Sequence, residues 1–444
     1  MVVLFFLIIV YGINGGSGGA ANSNQTAVIS LPEHFPGKAK ADPISSDTPF
    51  PLFIEKSGIQ AIDKNGIQEL LDDKLFVNIR NKSFDVVSEK DHFHIDTSIN
   101  IPLQQFILDT IDPSTARYMG IVVMEPYSGR VLAMASFDRD DPHNNPCLDS
   151  IFPAASVFKI VTAAAVIERY GFDSDSVMTY CGRKHTLYKS QIKEYTKRKT
   201  HEITLRDSFA QSVNPVFGKI GVHYLGKTAL EEYAEAFGFN RDIGFDIPFG
   251  PSVMIISDEP YHWAEVASGF NRETLISPLH GALIASAVLN RGLLLEPIIV
   301  EQITDDSGRM IYQSHLKPLN QAITSDVSEI VNDLMIATIE SGTCRKVFRG
   351  YGEDDVLSRL SMGGKTGTIN NNGGNIRYDW FVGFAEERNG PEKIVVSSVV
   401  AHEKYIGKKS SRYARMIFKE YFTNYFGKYS QTEKKDLAAE TLRR

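Results

Sequence analysis

Ser156-Val157-Phe158-Lys159 places a hydroxyl and a primary amine three residues apart. On a helix that is less than one turn, so the two side chains lie on one face. A serine hydroxyl attacks a carbonyl only when a base takes its proton. A lysine can be that base once burial or positive neighbours bring its pKa down from about 10.4 toward neutrality. If Ser156 opens the helix, the free N–H groups and the positive end of the helix dipole also lie beside it. The pattern by itself is weak: composition predicts about two Ser-x-x-Lys patterns by chance in a chain of this length. The sequence has three, the others starting at Ser190 and Ser314. Context separates them. Ser190 lies in the basic stretch from Arg183 to Lys199, which reads as a solvated face or loop, and Ser314 is soon followed by Pro318. Only Ser156 opens a segment with an apolar stripe, made by Val157, Ile160, Val161, Ala164 and Ile167 and stopped by Gly171.

Two further groups complement this pair. Ser212-Val213-Asn214 offers a second hydroxyl that could relay protons between Lys159 and a leaving group, and an amide that could hold a substrate backbone. That pattern is very weak alone, since Ser98-Ile99-Asn100 repeats it. Lys365-Thr366-Gly367-Thr368 is rarer; composition predicts a Lys-Thr-Gly in roughly one chain in ten of this length. It reads as a strand edge, where a substrate can add as another strand and Gly367 lets backbone approach closely. Lys365 and the threonine hydroxyls suit a carboxylate. The histidines suggest neither a metal nor a triad. His92 and His94 alternate on one strand face, and His201-Glu202 lacks the second histidine of a zinc helix. Cys147, Cys181 and Cys344 fit no zinc pattern, and three cysteines allow at most one bridge.

The elements that must position these groups follow from periodicity. From about residue 96 the pattern is mixed α/β. Apolar runs at 120–124 and 131–135, around the turn at 126–129, predict a hairpin. Helices are expected over 156–170, 205–220, 227–237, 278–289, 325–340 and 411–425. Strands are expected over 294–303, 309–313, 361–368, 379–386 and 393–401. Residues 51–95 read as a small lobe with one helix, carrying Ile59, Ile62, Leu70 and Leu71, and a strand over Leu75–Ile79. Residues 22–50 read as a linker and 428–444 as a charged tail.

With 43% hydrophobic and 23% charged residues, a buried core is expected. The net charge of -7 lacks the basic excess of a nucleic-acid binder. Val2–Val10 is an apolar run too short to span lipid and is followed by small residues, Gly15 to Ala21. Residues 1–21 therefore read as a signal peptide or a truncated membrane anchor, and either implies export.

Taken together, these groups resemble the transpeptidase domain of penicillin-binding proteins, over about residues 96–427. The likeness extends to Gly120–Pro126 with Gly129–Ala135, and to Ser212-Val213-Asn214-Pro215-Val216-Phe217 with Gly226 and Phe237-Gly238-Phe239. It also includes Ser277-Pro278-Leu279, Asn290-Arg291-Gly292, Ser341-Gly342-Thr343 and Asp379–Ala385. The resemblance implies a mostly antiparallel central sheet flanked by helices, with an all-helical subdomain and a small N-terminal extension. It implies that Ser156 attacks the carbonyl between two D-alanines of a peptidoglycan stem peptide, with Lys159 as base. Ser212 and Asn214 would aid proton transfer and positioning. Lys365, Thr366, Gly367 and Thr368 would bind substrate, and the N–H groups of Ser156 and Thr368 would form an oxyanion hole. No metal or organic cofactor is implied. The partners implied are stem peptides, cell-wall synthesis proteins and β-lactams as covalent inhibitors, on the periplasmic side of the membrane. Carboxypeptidation stays open, because it shares the acyl-enzyme and differs only in the acceptor. A serine β-lactamase and a β-lactam sensor or scaffold are the competing readings.

Overall fold

The structure is a computed structural model that describes residues 64–441, apart from 72, 89–90 and 194–198, with side chains as far as 428. The apolar run at Val2–Val10, the linker at 22–50 and Ile59 and Ile62 lie outside the described residues. Five strands form the central sheet: β1 (Ala116–Met124), β2 (Val131–Asp138), β3 (Leu360–Asn370), β4 (Arg377–Glu387) and β5 (Lys393–His402). Their order is β3-β4-β5-β1-β2, antiparallel throughout, so β3 is an edge strand. Alternation divides the apolar residues between two cores. Val382, Phe384, Val395 and Val399 face one, and Phe381, Ala385, Ile394, Val396 and Val400 face the other.

The helices used below are α1 (Lys159–Tyr170), α2 (Leu205–Ala210), α3 (Asn214–Ile220), α4 (Pro260–Ser268), α5 (Pro278–Leu289), α6 (Ser325–Glu340) and α7 (Ser410–Thr441). Every residue of α5 is buried, as expected of a helix that is apolar all round. Ser277 caps it by accepting from the His280 N–H at 3.1 Å, with Pro278 in its first turn. It lies against the sheet so closely that a Cβ on Gly281 would sit 2.5 Å from Ser397 Oγ. On the opposite face Tyr413, Ile417, Phe418 and Phe422 of α7 close the second core. Among the described residues no helix is long and apolar enough to cross a membrane.

Helices 278–289 and 325–340 match the periodicity, as do the three late strands. Other elements differ. Leu75–Ile79 is no strand: a 3-10 turn at Asp73–Phe76 buries Phe76 against Phe84, and Asn78 turns the chain at φ 53. Asparagine tolerates that conformation, and the Asn78 amide holds both polar groups of the Ser136 main chain. The expected helix 205–220 breaks into α2 and α3: Pro215 has no N–H to donate to the preceding turn and so sits in the first turn of α3, after the left-handed Ser212 and extended Val213. Strand 294–303 is interrupted around Pro297, leaving Leu293–Leu295 and Val300–Asp305. The strand Asp91–Thr97 runs across residue 95 and pairs with Val300–Asp305, inside a four-stranded sheet completed by Ser83–Ser88 and Met310–Gln313. The helical layer also carries a two-stranded ribbon, Val177–Cys181 with Thr200–Thr204. All three cysteines are free, buried thiols.

Candidate active site

Ser156 sits in a 3-10 turn, Ala155–Phe158, that leads directly into α1; Gly171 at φ 67 ends the helix. From Phe152 to Ile167 every residue is buried except Ser156, which is partly exposed. The hydroxyl is thus presented by an otherwise solid helix. The residue before it, Ala155, is held at φ 49, a left-handed conformation that costs about 1–3 kcal/mol outside glycine. Its neighbours hold it there. The Ala154 N–H donates to the Thr274 carbonyl at 2.8 Å. Trp380 Nε1 of β4 donates to the Pro153 carbonyl at 2.9 Å. Gly269 lies so close that an added Cβ would be 1.8 Å from the Ala155 oxygen.

Lys159, one turn on, is wholly buried. Its Nζ lies 2.7 Å from Ser156 Oγ, 2.7 Å from Asn214 Oδ1, 2.6 Å from the Ser268 carbonyl and 3.4 Å from Ser212 Oγ. Asn214 Oδ1 and the Ser268 carbonyl can only accept, so they take two N–H donors from the amine. The next-closest oxygen is Ser156 Oγ; in the uncharged amine a lone pair is left to face it. Burial first, and the charge of Lys365 second, hold the Lys159 pKa well below the ordinary lysine value. Among the described residues no carboxylate lies within ion-pair distance of it. The geometry therefore couples an amine of lowered pKa to one hydroxyl.

Lys365 approaches from the sheet edge. Alternation along β3 puts Lys365 and Gly367 on one face. Lys365 Nζ donates to Ser212 Oγ at 2.9 Å and to the Thr366 carbonyl at 3.0 Å. Gly367 abuts the start of the Ser156 turn, where a Cβ would be 3.2 Å from Ala155 Cβ and 3.4 Å from the Ala154 oxygen. Burial pushes the Lys365 pKa down to about 7, with the Cys344 thiol acting in the opposite sense. Ser212 stands between the two lysines. Like Ala155 it is left-handed, at φ 56, in the break between α2 and α3. Thr366 is half-buried and Thr368 exposed. The Thr366 hydroxyl lies 2.7 Å from that of Thr343.

The structure thus brings Ser156, Lys159, Ser212, Asn214 and Lys365 into one hydrogen-bonded cluster. Gly367 packs beside it, with Thr366 and Thr368 on the adjoining strand edge. Three contributors were not read from the sequence as working parts. Ser268 acts through its main-chain carbonyl, which no side-chain motif announces. Gly269 acts by having no Cβ; its signal was its place as a left-handed helix C-cap after α4. Thr343 was visible only as part of Ser341-Gly342-Thr343.

Residues 119–423 match the family model described as the penicillin binding protein transpeptidase domain. The chain is 23% identical over 345 residues to the peptidoglycan D,D-transpeptidase PbpA of Mycolicibacterium smegmatis, covering 69% of this chain and 67% of that one. It is 21% identical over 332 residues to PbpA of Mycobacterium tuberculosis H37Rv, covering 66% and 64%. The chain thus spans about two thirds of the length of these curated relatives. The D,D-transpeptidase domain of a peptidoglycan glycosyltransferase from Eggerthella lenta superposes with a TM-score of 0.60 at 23% identity, covering 78% of this chain and 85% of that one. Penicillin-binding protein A of M. tuberculosis, solved as a penicillin G acyl-enzyme complex, gives a TM-score of 0.57 at 18% identity, covering 73% and 79%.

Proposed function

This chain belongs to the penicillin-binding protein transpeptidase family, and on that premise we propose that it is a peptidoglycan D,D-transpeptidase working through an acyl-enzyme on Ser156. The observation that carries the reading is the buried, carboxylate-free amine of Lys159 at 2.7 Å from the partly exposed Ser156 hydroxyl.

In the first step Ser156 Oγ bonds to the carbonyl carbon between the two D-alanines and its proton passes to Lys159. The tetrahedral oxyanion is met by the N–H groups of Ser156 and Thr368; one donor of this kind is worth about 2.7–4 kcal/mol in a protease. The C–N bond then breaks. The terminal D-alanine leaves as an amine, with its proton delivered from Lys159 through Ser212. Asn214 holds the peptide backbone, and Thr366, Thr368 and the charge of Lys365 hold the terminal carboxylate. In the second step the amine of another stem peptide attacks the ester carbon, gives up a proton and returns Ser156 to its hydroxyl form. Water in place of that amine would give carboxypeptidation. A β-lactam is attacked in the same way but keeps its leaving nitrogen tethered, so the adduct persists. The substrate places this work on the extracytoplasmic side of the membrane.

The test is mass spectrometry of a pentapeptide ending in D-Ala-D-Ala, incubated with the protein with and without an amine acceptor. Loss of one alanine together with amine-dependent peptide joining is expected; loss of alanine alone would make the protein a carboxypeptidase. Ser156→Ala should take up no fluorescent penicillin. Undiminished labelling of that variant would end the assignment.

A further inference from the structure

The main-chain partners of β3 show which of its groups face the open side of the sheet. In a strand the N–H and C=O of one residue point the same way, and successive residues alternate. The Asn371 N–H donates to the Ile376 carbonyl at 2.9 Å, across the turn toward β4. Odd-numbered main-chain groups of β3 therefore face β4, and those of Thr366, Thr368 and Asn370 face the free edge. Two side-chain donors agree with this. The Thr366 carbonyl accepts from Lys365 Nζ at 3.0 Å, and the Asn370 carbonyl accepts from Arg272 Nε at 2.7 Å. Thr368 stands between them, so Arg272 closes the far end of the edge on which Lys365 occupies the near end. Its loop, which follows α4, is firmly built. Asn271 is buried; its Oδ1 accepts from the N–H groups of Glu273 at 2.9 Å and Thr274 at 2.7 Å. The Phe270 N–H donates to the Glu265 carbonyl at 2.7 Å.

Arg272 is exposed, and its Nε–H alone is used on Asn370, which leaves the Nη groups to a ligand. Among the described residues no carboxylate lies within ion-pair distance of it, and that of the next residue, Glu273, lies 3.2 Å from His262 Nε2. The direction of a bound peptide follows from the Ser156 acyl-enzyme reading above, on which this inference rests. With the terminal carboxylate at Lys365 and Thr366 and the scissile carbonyl at the Thr368 N–H, the peptide runs antiparallel to β3. Its upstream residues then pass toward Asn370. When the penultimate D-alanine pairs with Thr368, the residue two before it stands level with Asn370, and there it meets a guanidinium instead of a free carbonyl. In a stem peptide that residue is a γ-linked D-glutamate, whose α-carboxylate is free. We propose that Arg272 is a specificity-determining residue that binds this carboxylate of the acyl-donor peptide through its Nη groups, as a charge-assisted pair.

The experiment is protection of Ser156 from a fluorescent penicillin by two synthetic peptides. One is L-Ala-γ-D-Glu-L-Lys-D-Ala-D-Ala; the other differs only in carrying an α-amide on the glutamate. The acid should protect the wild type at about tenfold lower concentration than the amide, the effect of one charge-assisted hydrogen bond. Arg272→Gln should bring that ratio to within about twofold of unity, because protection by the acid weakens. Losing the Asn370 bond alone would weaken both peptides together, so the ratio separates recognition from a purely structural tie. A wild type protected equally by both peptides, or by neither, overturns the proposal. So does an Arg272→Gln protein that keeps the wild-type ratio. If Arg272→Gln fails to fold, the wild-type ratio decides alone. Absence of penicillin labelling in the wild type would remove the acyl-enzyme reading itself; a labelled wild type with no preference for the acid would remove only this inference.

Discussion

At the scale of residues, the site depends on amines kept out of water. Lys159 and Lys365 are both fully buried, and the described structure supplies neither with a carboxylate, so each gives up its proton more readily than a solvent-exposed lysine. One consequence is kinetic. The base must be uncharged, so the fall of acylation with decreasing pH should come well below the ordinary lysine value. A stopped-flow rate profile checks this, and a limb near pH 10 would contradict it. Another is thermodynamic. The folded Lys365 releases its proton at about 7 and the unfolded one near 10.5. Between those values the unfolded state holds more protons, so stability from this group rises with pH. Below that window Lys365 opposes folding by an amount on the order of 3–5 kcal/mol. Lys365→Met should therefore melt above the wild type at neutral pH, with the gap closing toward pH 10, while acylation is lost. Melting curves at several pH values would show it; a gap independent of pH would mean the lysine folds in its charged form.

Elements set the spacing of these residues by close main-chain approach. The end of α4 supplies the Ser268 carbonyl to Lys159, and the next residue, Gly269, fits against the Ala155 carbonyl at φ 65. A side chain there has no room. Gly269→Ala should cost about 1–2 kcal/mol for the left-handed backbone, and a further ~1–3 kcal/mol for overpacking. Because the displaced group is the residue before Ser156, acylation should slow as well. The variant's melting temperature and labelling rate should both fall, and normal values of both would show that this contact is not what seats the serine turn. Trp380 makes the equivalent tie from the sheet through the Pro153 carbonyl, so the turn is fastened from α4 and from β4.

For the molecule as a whole, the sheet separates the site from the second core. Ser156 and α5 lie on one side; the aromatic cluster of Phe348, Phe381 and Phe418 lies on the other, with ring centroids 6.2–6.4 Å apart. Phe418→Ala should cost about 3–5 kcal/mol, as expected for deleting a buried aromatic ring. Yet the folded variant should acylate at close to the wild-type rate, since α7 touches none of the cluster formed by Lys159 and Ser212. A proportional loss of labelling in fully folded protein would show that the sheet transmits the defect.

The sequence by itself determined which reactive residue types stand at close spacing and several of the regular elements. Ser156-x-x-Lys159 on an apolar-striped helix, Lys365-Thr366-Gly367 in a late strand, and helices such as 278–289 were legible because side-chain spacing and period are local properties. Only the tertiary structure decided that Ser212, far from Ser156 and from Lys365 in the chain, bridges their two lysines. The break that turns Ser212 into place was read as continuous helix, since its left-handed backbone is imposed by packing and not by serine's own preference. Ser268 and Gly269 were hidden for a related reason. They act through a carbonyl and a missing Cβ, and these acquire meaning only once distant segments meet and water has been excluded.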